Sequence, residues 1–166
     1  TKPHLYQLVS SYFELKLLMQ LLESQESVCF DTETTSLNEM EAELIGISFS
    51  WKYETGYFVL IPNDSEGKNL FIETLKKFFE NDNIEKIGQN IKYDFKVLKK
   101  YGIELKGKLF DTMLAHYLIN PDARHNLETL SKNYLGYKMI PITKLIGKKG
   151  NCLLYTSDAA DERHGV

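Results

Sequence analysis

Cysteine is scarce in this sequence: 166 residues hold only Cys29 and Cys152, which offer neither a disulfide framework nor the spacing of a zinc site. An excess of basic charge is missing too. Lys and Arg number 20 against 23 Asp and Glu, a net charge of -3, so contact with nucleic acid is expected to be local and to depend partly on cations that bridge acidic side chains to phosphate. No apolar run approaches the length that spans a bilayer. The first residues, Thr1-Lys2-Pro3-His4, contain neither an initiator Met nor a signal-like apolar region. A cytoplasmic location, no membrane partner and an origin as an internal piece of a longer chain are therefore expected. Repeats and low-complexity linkers are absent up to Asn151. What is present, 43% hydrophobic and 26% charged residues, suits one globular domain with a core.

The rest of the chain is organised around Val28-Cys29-Phe30-Asp31-Thr32-Glu33-Thr34, where an apolar run stops at two carboxylates placed two residues apart. Side chains alternate across a strand, so Asp31 and Glu33 project from one face with Cα atoms roughly 6.5 to 7 Å apart. Carboxylates this close repel unless a cation lies between them. Two divalent ions about 3.5 to 4 Å apart are a common device for phosphodiester cleavage. An isolated Asp-x-Glu more often just ends a strand, with Thr34 to Asn38 as a polar turn, so a further carboxylate source is required.

In chain order, Leu5 to Val9 reads as a short strand, and Ser10 or Ser11 can cap a helix from about Tyr12 to Leu22. After the acidic strand, Glu43 to Trp51 and Thr55 to Ile61 are β-rich runs joined by Lys52-Tyr53-Glu54, an antiparallel hairpin. Leu70, Phe71, Leu75, Phe78 and Phe79 then form one face of a helix. Ile84 to Gly88 is a short strand, and Gln89 to Leu98 begins a helix with Ile91, Phe95 and Leu98 as its apolar stripe. Asn90 and Asp94, one turn apart, are expected on a face away from the centre of that stripe. Lys108 to Ala115 reads as a strand leading into a helix with Asp111 at its N-cap, and Asn126 to Leu135 as a further helix closed by Gly136. Between Glu85 and Lys108 seven lysines stand against three acids, a local basic bias that a solvated helix face also explains. Strands followed by alternating helices and short strands make an α/β domain with a mixed sheet and helices on both faces.

Three stretches, Phe30-Asp31-Thr32-Glu33-Thr34, Ile87 to Asp94 and Phe110-Asp111-Thr112-Met113-Leu114, resemble in order and spacing the 3′-5′ exonuclease superfamily with four acidic metal ligands. The wording is most similar to the proofreading domain of bacterial DNA polymerase I, a family A polymerase. The likeness runs from about Leu5 to Asn151 and takes in Asn120 to Leu127 and Tyr134 to Lys138. It implies a ribonuclease-H-like fold and metal-dependent hydrolysis of the 3′-terminal phosphodiester of single-stranded or frayed DNA. The implied cofactor is two ions, Mg²⁺ or Mn²⁺, and a polymerase domain is expected in the same parent chain. By position, the resemblance implies Asp31, Glu33 and Asp94 as catalytic metal ligands. It implies Thr34, Leu37, Gln89, Asn90, Tyr93 and Arg124 as contacts to the single-stranded end. For Leu37 a core position, for Tyr93 plain cover of the helix, and for Arg124 a carbonyl-capping role are the alternatives. Asp111 is read as a helix cap and not as a ligand.

The family's third motif, Tyr-x-x-x-Asp on a late helix, is missing. Tyr155 is followed four residues later by Ala159, and His116, His125 and His164 offer no evident replacement. The segment Cys152 to Glu162 looks like a translated sequencing-library adaptor, so residues 152–166 are expected to be a non-native tail and residues 1–151 an exonuclease domain cut before its last helix. Such a fragment is expected to be nearly inactive. The rival readings are a ribonuclease-D-like exoribonuclease and a catalytically silent nucleic-acid-binding domain.

Overall fold

The structure, a computed structural model, describes residues 5–36, 38 and 41–139. The chain divides into two compact units, Thr1–Ala123 and Arg124–Val166. The first contains a six-stranded mixed sheet with the order β1-β4-β3-β2-β5-β6. The strands are β1 (Leu5–Val9), β2 (Ser27–Thr34), β3 (Leu44–Ser50), β4 (Thr55–Leu60), β5 (Glu85–Gly88) and β6 (Leu109–Asp111), and the helices are α1 (Tyr12–Glu23), α2 (Ser65–Phe79), α3 (Ile91–Lys100) and α4 (Thr112–Ile119). In the second unit, α5 (Leu127–Leu135) is capped by Asn126 and ends at Gly136, whose φ of 61° is left-handed. No helix of the described residues is long and apolar enough to cross a membrane.

β3 runs antiparallel to β2 and β4, whereas β1 is parallel to β4, and β5 is parallel to both β2 and β6. Phe30 lies opposite Phe49 and Ile47 opposite Val59, so these side chains share one side of the sheet. They form the core with Leu15, Leu18 and Leu22 of α1 and Phe71, Leu75, Phe78 and Phe79 of α2. Phe30 meets Phe79 edge-on at 5.1 Å between ring centres, and Phe49 meets Phe78 at 5.4 Å. Each buried Phe is worth about 1.5 to 3 kcal/mol relative to exposure. The layer therefore anchors β2, the strand that carries Asp31 and Glu33.

Two helical stripes differ from the sequence expectation. α2 begins at Ser65, capped by Asp64, and buries Ile72 where Leu70, 42% exposed, had been expected. In α3 the inward residues are Ile91, Asp94, Val97 and Leu98, while Phe95 is 37% exposed. An i, i+3, i+6, i+7 stripe fits the helical period as well as one drawn through Phe95. The consequence is large, because Asp94 lies on the buried face and not beside it.

One lysine of the basic bias is interior. Lys86 of β5 is fully buried, donates to the carbonyls of Asn81 and Lys106, and lies over the ring of Phe78. Loss of hydration pushes its pKa down to about 8, against the opposing charge of Asp82. It closes loops together and adds nothing to a basic surface.

Candidate active site

β2 is longer than its neighbour β5. The ladder between them pairs Ser27 to Cys29 with Glu85 to Ile87, whereas β2 continues to Thr34 along β3. Past Cys29 one edge of β2 therefore has no strand partner among the described residues, and its backbone groups need other partners. Asp94 of α3 meets that need: its Oδ1 accepts from the Thr32 N–H at 2.9 Å and from Thr32 Oγ1 at 2.6 Å. Thr32 thus ties the acidic strand to the acidic helix. It was not singled out in the sequence, although its place between Asp31 and Glu33 is the signal that could have found it.

The turn from β5 into α3 is tight. A Cβ at Gly88 would lie 2.8 Å from Ile91 Cγ1 and 3.3 Å from the Phe30 carbonyl oxygen, so glycine permits the close approach. Asn90 follows in the left-handed region, with φ 62° and ψ 47°, and its side chain gives no cap to α3. Asn is among the residues that tolerate this conformation. The missing cap comes from Asp111, whose carboxylate accepts from the N–H groups of Asn90 and Ile91 at 3.2 and 2.9 Å. It also accepts from those of Met113 and Leu114 at 2.9 and 3.2 Å. Asp111 therefore caps α3 and α4 together, and each such cap is worth typically ~1 kcal/mol. Thr112 Oγ1 lies within hydrogen-bond distance of both Gln89 Oε1 and, at 3.1 Å, the Gly88 carbonyl, so its one hydroxyl hydrogen serves this turn. The expected helix-cap role of Asp111 is what the structure shows, extended to a second helix.

Alternation along β2 sends Val28, Phe30 and Thr32 inward and leaves Asp31 on the exposed side, with Glu33 half-buried. The three carboxylates feel one another. Asp31 has its pKa pushed up to about 7, first by lost hydration among crowding protein atoms and then by the charges of Asp94 and Glu33. Lost hydration and Asp94 raise that of Glu33. Asp94, only 2% exposed, is raised by burial and less by Asp111, with the bonds from Thr32 opposing. Among the described residues no three His, Cys, Asp or Glu side chains already converge as a formed metal cage. The donor set is nevertheless all carboxylate oxygen, the type that hard divalent cations take, and a cation would relieve the mutual repulsion.

Of the remaining expected residues, Thr34 Oγ1 and Tyr93 Oη lie 2.6 Å apart, and Tyr93 Oη donates to the Ser36 carbonyl at 2.7 Å. Gln89 and Asn90 occupy the turn just described. Leu37 lies outside the described residues, as do Cys152, Tyr155, Asp158, Asp161 and the whole adaptor-like tail. Arg124 belongs to the second unit. The structure thus gathers Asp31, Glu33, Thr34, Gln89, Asn90, Tyr93 and Asp94 around the end of β2 and the start of α3.

The raised pKa values carry a stability consequence. A carboxyl whose pKa is higher folded than unfolded destabilises the fold as it ionises, so the penalty is absent below the unfolded value near 4 and grows as pH rises through the folded value. For Asp31 that window runs from 3.8 to about 7. The metal-free domain is expected to melt at a higher temperature at pH 5.5 than at pH 8, and Asp31→Asn to flatten this dependence. Thermal unfolding across that pH range checks it; a melting temperature that rises toward pH 8 in the wild type and the variant alike would refute the crowding of these carboxylates.

Residues 6–160 match the 3′-5′ exonuclease family. The chain is 38% identical over 151 residues to DNA polymerase I of Borreliella burgdorferi, a match covering 88% of this chain and 16% of that protein. It spans about a sixth of the length of that relative. Among solved structures, the Trypanosoma brucei RNase D complex with RNA U12 superposes with a TM-score of 0.71 at 13% identity, covering 85% of this chain and 50% of that one. Brucella melitensis NrnC with bound Mg²⁺ gives 0.62 at 19% identity, covering 90% and 74%. The mixed sheet with its helices is the ribonuclease-H-like α/β fold of such exonucleases.

Proposed function

The chain belongs to the 3′-5′ exonuclease family, hydrolytic nucleases dependent on divalent metal, and from that membership we propose that Asp31, Glu33 and Asp94 are its metal-binding and catalytic carboxylates. The observation that supports the assignment is the placement of Asp94, tied by its Oδ1 to Thr32 between the two strand carboxyls, where its charge helps to hold the pKa of both Asp31 and Glu33 up. Mg²⁺ or Mn²⁺, two ions in the family pattern, would supply a polarised water and a positive charge for the leaving 3′ oxygen. The protein groups have separable tasks. Asp31 and Glu33 offer oxygens from one strand, while Asp94 offers charge from the facing helix. Thr32 holds Asp94 through Oδ1, so the orientation of that carboxylate is fixed before any ligand arrives.

The substrate is the 3′ end of single-stranded or frayed DNA, with Thr34, Gln89, Asn90 and Tyr93 beside the carboxylates as contacts and Leu37 and Arg124 as the further contacts that the resemblance supplies. The likeness to a DNA polymerase I favours proofreading in a parent chain that also carries a polymerase domain. The likeness to RNase D is one of fold. A competition between DNA and RNA oligonucleotides of one sequence separates the two substrates. Residues 152–166 are assigned no part in the chemistry.

The direct test is cation affinity. Titrating Mn²⁺ into the wild-type chain and into Asp31→Ala is expected to show binding weakened at least about tenfold in the variant, because removing one carboxylate from a hard-cation site takes away both a ligand and a charge. Equal affinity in the two proteins would overturn the assignment.

A further inference from the structure

Asp111 stands at the end of β6, opposite Gly88 in the parallel ladder with β5, and its carboxylate reaches two helices at once. Oδ1 accepts from the N–H groups of Met113 and Leu114 in the first turn of α4 and from that of Asn90, while Oδ2 accepts from the Ile91 N–H that opens α3. Four donors fill the roughly four lone-pair sites of a carboxylate. Asp111 therefore has no oxygen left for a cation, although its charge reaches Asp94.

Asp94 stands in the first turn of α3, the turn that Asp111 caps. The first N–H groups of a helix have no partner within it, and a turn whose donors are left uncapped frays. Asn90, at the N-cap position, supplies no side-chain cap of its own. At the other end of the turn, Asp94 Oδ1 accepts from the Thr32 N–H and hydroxyl, between Asp31 and Glu33. A continuous run of bonds thus leads from β6 and α4 through Asp111, the first turn of α3 and Asp94 to the acidic strand.

We infer that Asp111 is a positioning residue for the carboxylate site: by holding the N–H groups of Asn90 and Ile91 it fixes the first turn of α3, and with it the Asp94 carboxylate against Thr32, while tying that turn to α4. The inference rests on the site reading given above. Its physical basis is that a carboxylate one turn into a helix is placed no better than the turn that bears it. A cap that serves only its own helix would need two of these four bonds, those to Met113 and Leu114. The other two cross to the segment that carries Asp94, and so Asp111 acts on metal binding without touching the metal.

Asp111→Asn and Asp111→Glu test this in the 166-residue chain. The Asn amide offers one oxygen with two lone pairs, too few for both helices. Glu keeps the charge and both oxygens but sets them a methylene farther out. Amide exchange is read without metal at Thr32, whose acceptor on Asp94 neither substitution removes, and across α1 as the measure of overall opening; Mn²⁺ affinity is read separately. In both variants exchange at Thr32 is expected to quicken at least tenfold more than in α1, and Mn²⁺ affinity to fall fivefold or more. Exchange at Thr32 that is unchanged, or that only keeps pace with α1, would overturn the positioning role and leave Asp111 a cap for stability alone. Mn²⁺ affinity lost in Asp111→Asn but retained in Asp111→Glu would overturn it as well, because the charge and not its placement would then matter. So would unchanged Mn²⁺ affinity in both. Should one variant not fold, exchange at Thr32 in the other decides. Asp31→Ala that binds Mn²⁺ as tightly as the wild type would instead overturn the site reading, while exchange at Thr32 still decides whether Asp111 holds Asp94 in place.

Discussion

Asp94→Ala, placed in a form of this protein that also carries a late Tyr-x-x-x-Asp helix, is expected to slow release of the 3′-terminal nucleotide by about a thousandfold or more. Stabilisation of a developing charge through a bound cation is worth several kcal/mol, and about 4 kcal/mol corresponds to a thousandfold in rate. Two losses combine at this position. The buried carboxylate is a charge that a cation would face, and its Oδ1 is the acceptor for the Thr32 N–H and hydroxyl. Alanine would leave both donors unpaired in a site 7% exposed at Thr32, so the end of β2 that presents Asp31 and Glu33 would lose its tie as well. Asp94→Asn separates the two effects, because an amide oxygen still accepts from Thr32 while the charge is gone. A 3′-labelled oligonucleotide assay reads the outcome: the Asn variant should keep the fold's melting temperature and lose the rate. Undiminished rate in either variant, or degradation from the 5′ end, would refute the mechanism.

The 166-residue sequence contains no Tyr-x-x-x-Asp, and supplying a helix that bears this motif is expected to raise exonuclease rate at least about a hundredfold over the chain as it stands. A fourth carboxylate would help to neutralise a second cation, and a Tyr hydroxyl would help to place the attacking water. Orientation effects of this kind contribute several kcal/mol to barrier lowering, and each 1.36 kcal/mol is tenfold. Asp158 and Asp161 do not stand four residues after Tyr155, so Asp158→Ala and Asp161→Ala should leave any residual activity unaltered. Single-turnover cleavage of the same labelled oligonucleotide compares the two chains. If the 166-residue chain cleaved as fast as the extended one, the weight placed on the third motif would be wrong.

The sequence by itself determined the framework, because the signals involved are local. Ser11 with Glu14 three residues on forms a capping box at the start of α1, Asp111 caps the helix that directly follows it, and the alternation Val28-Cys29-Phe30-Asp31-Thr32-Glu33 fixes the two faces of β2. Each depends on neighbours within four residues, which is the range over which backbone periodicity and caps act. Only the tertiary structure decided what lies between distant stretches. Sequence pattern alone turned Phe95 inward and Asp94 aside, because a 3.6-residue period accommodates two stripes in a ten-residue helix. Packing chose the one that buries Asp94 against Thr32, 62 residues away. The second cap that Asp111 gives to α3, and the bonds from Lys100 and Tyr101 to Ala42 and Leu44, were likewise invisible. Such contacts answer to orphan backbone groups left where a strand outruns its neighbour or a turn takes the left-handed region. Which side chain arrives to satisfy them is settled only when the sheet and helices have closed on each other.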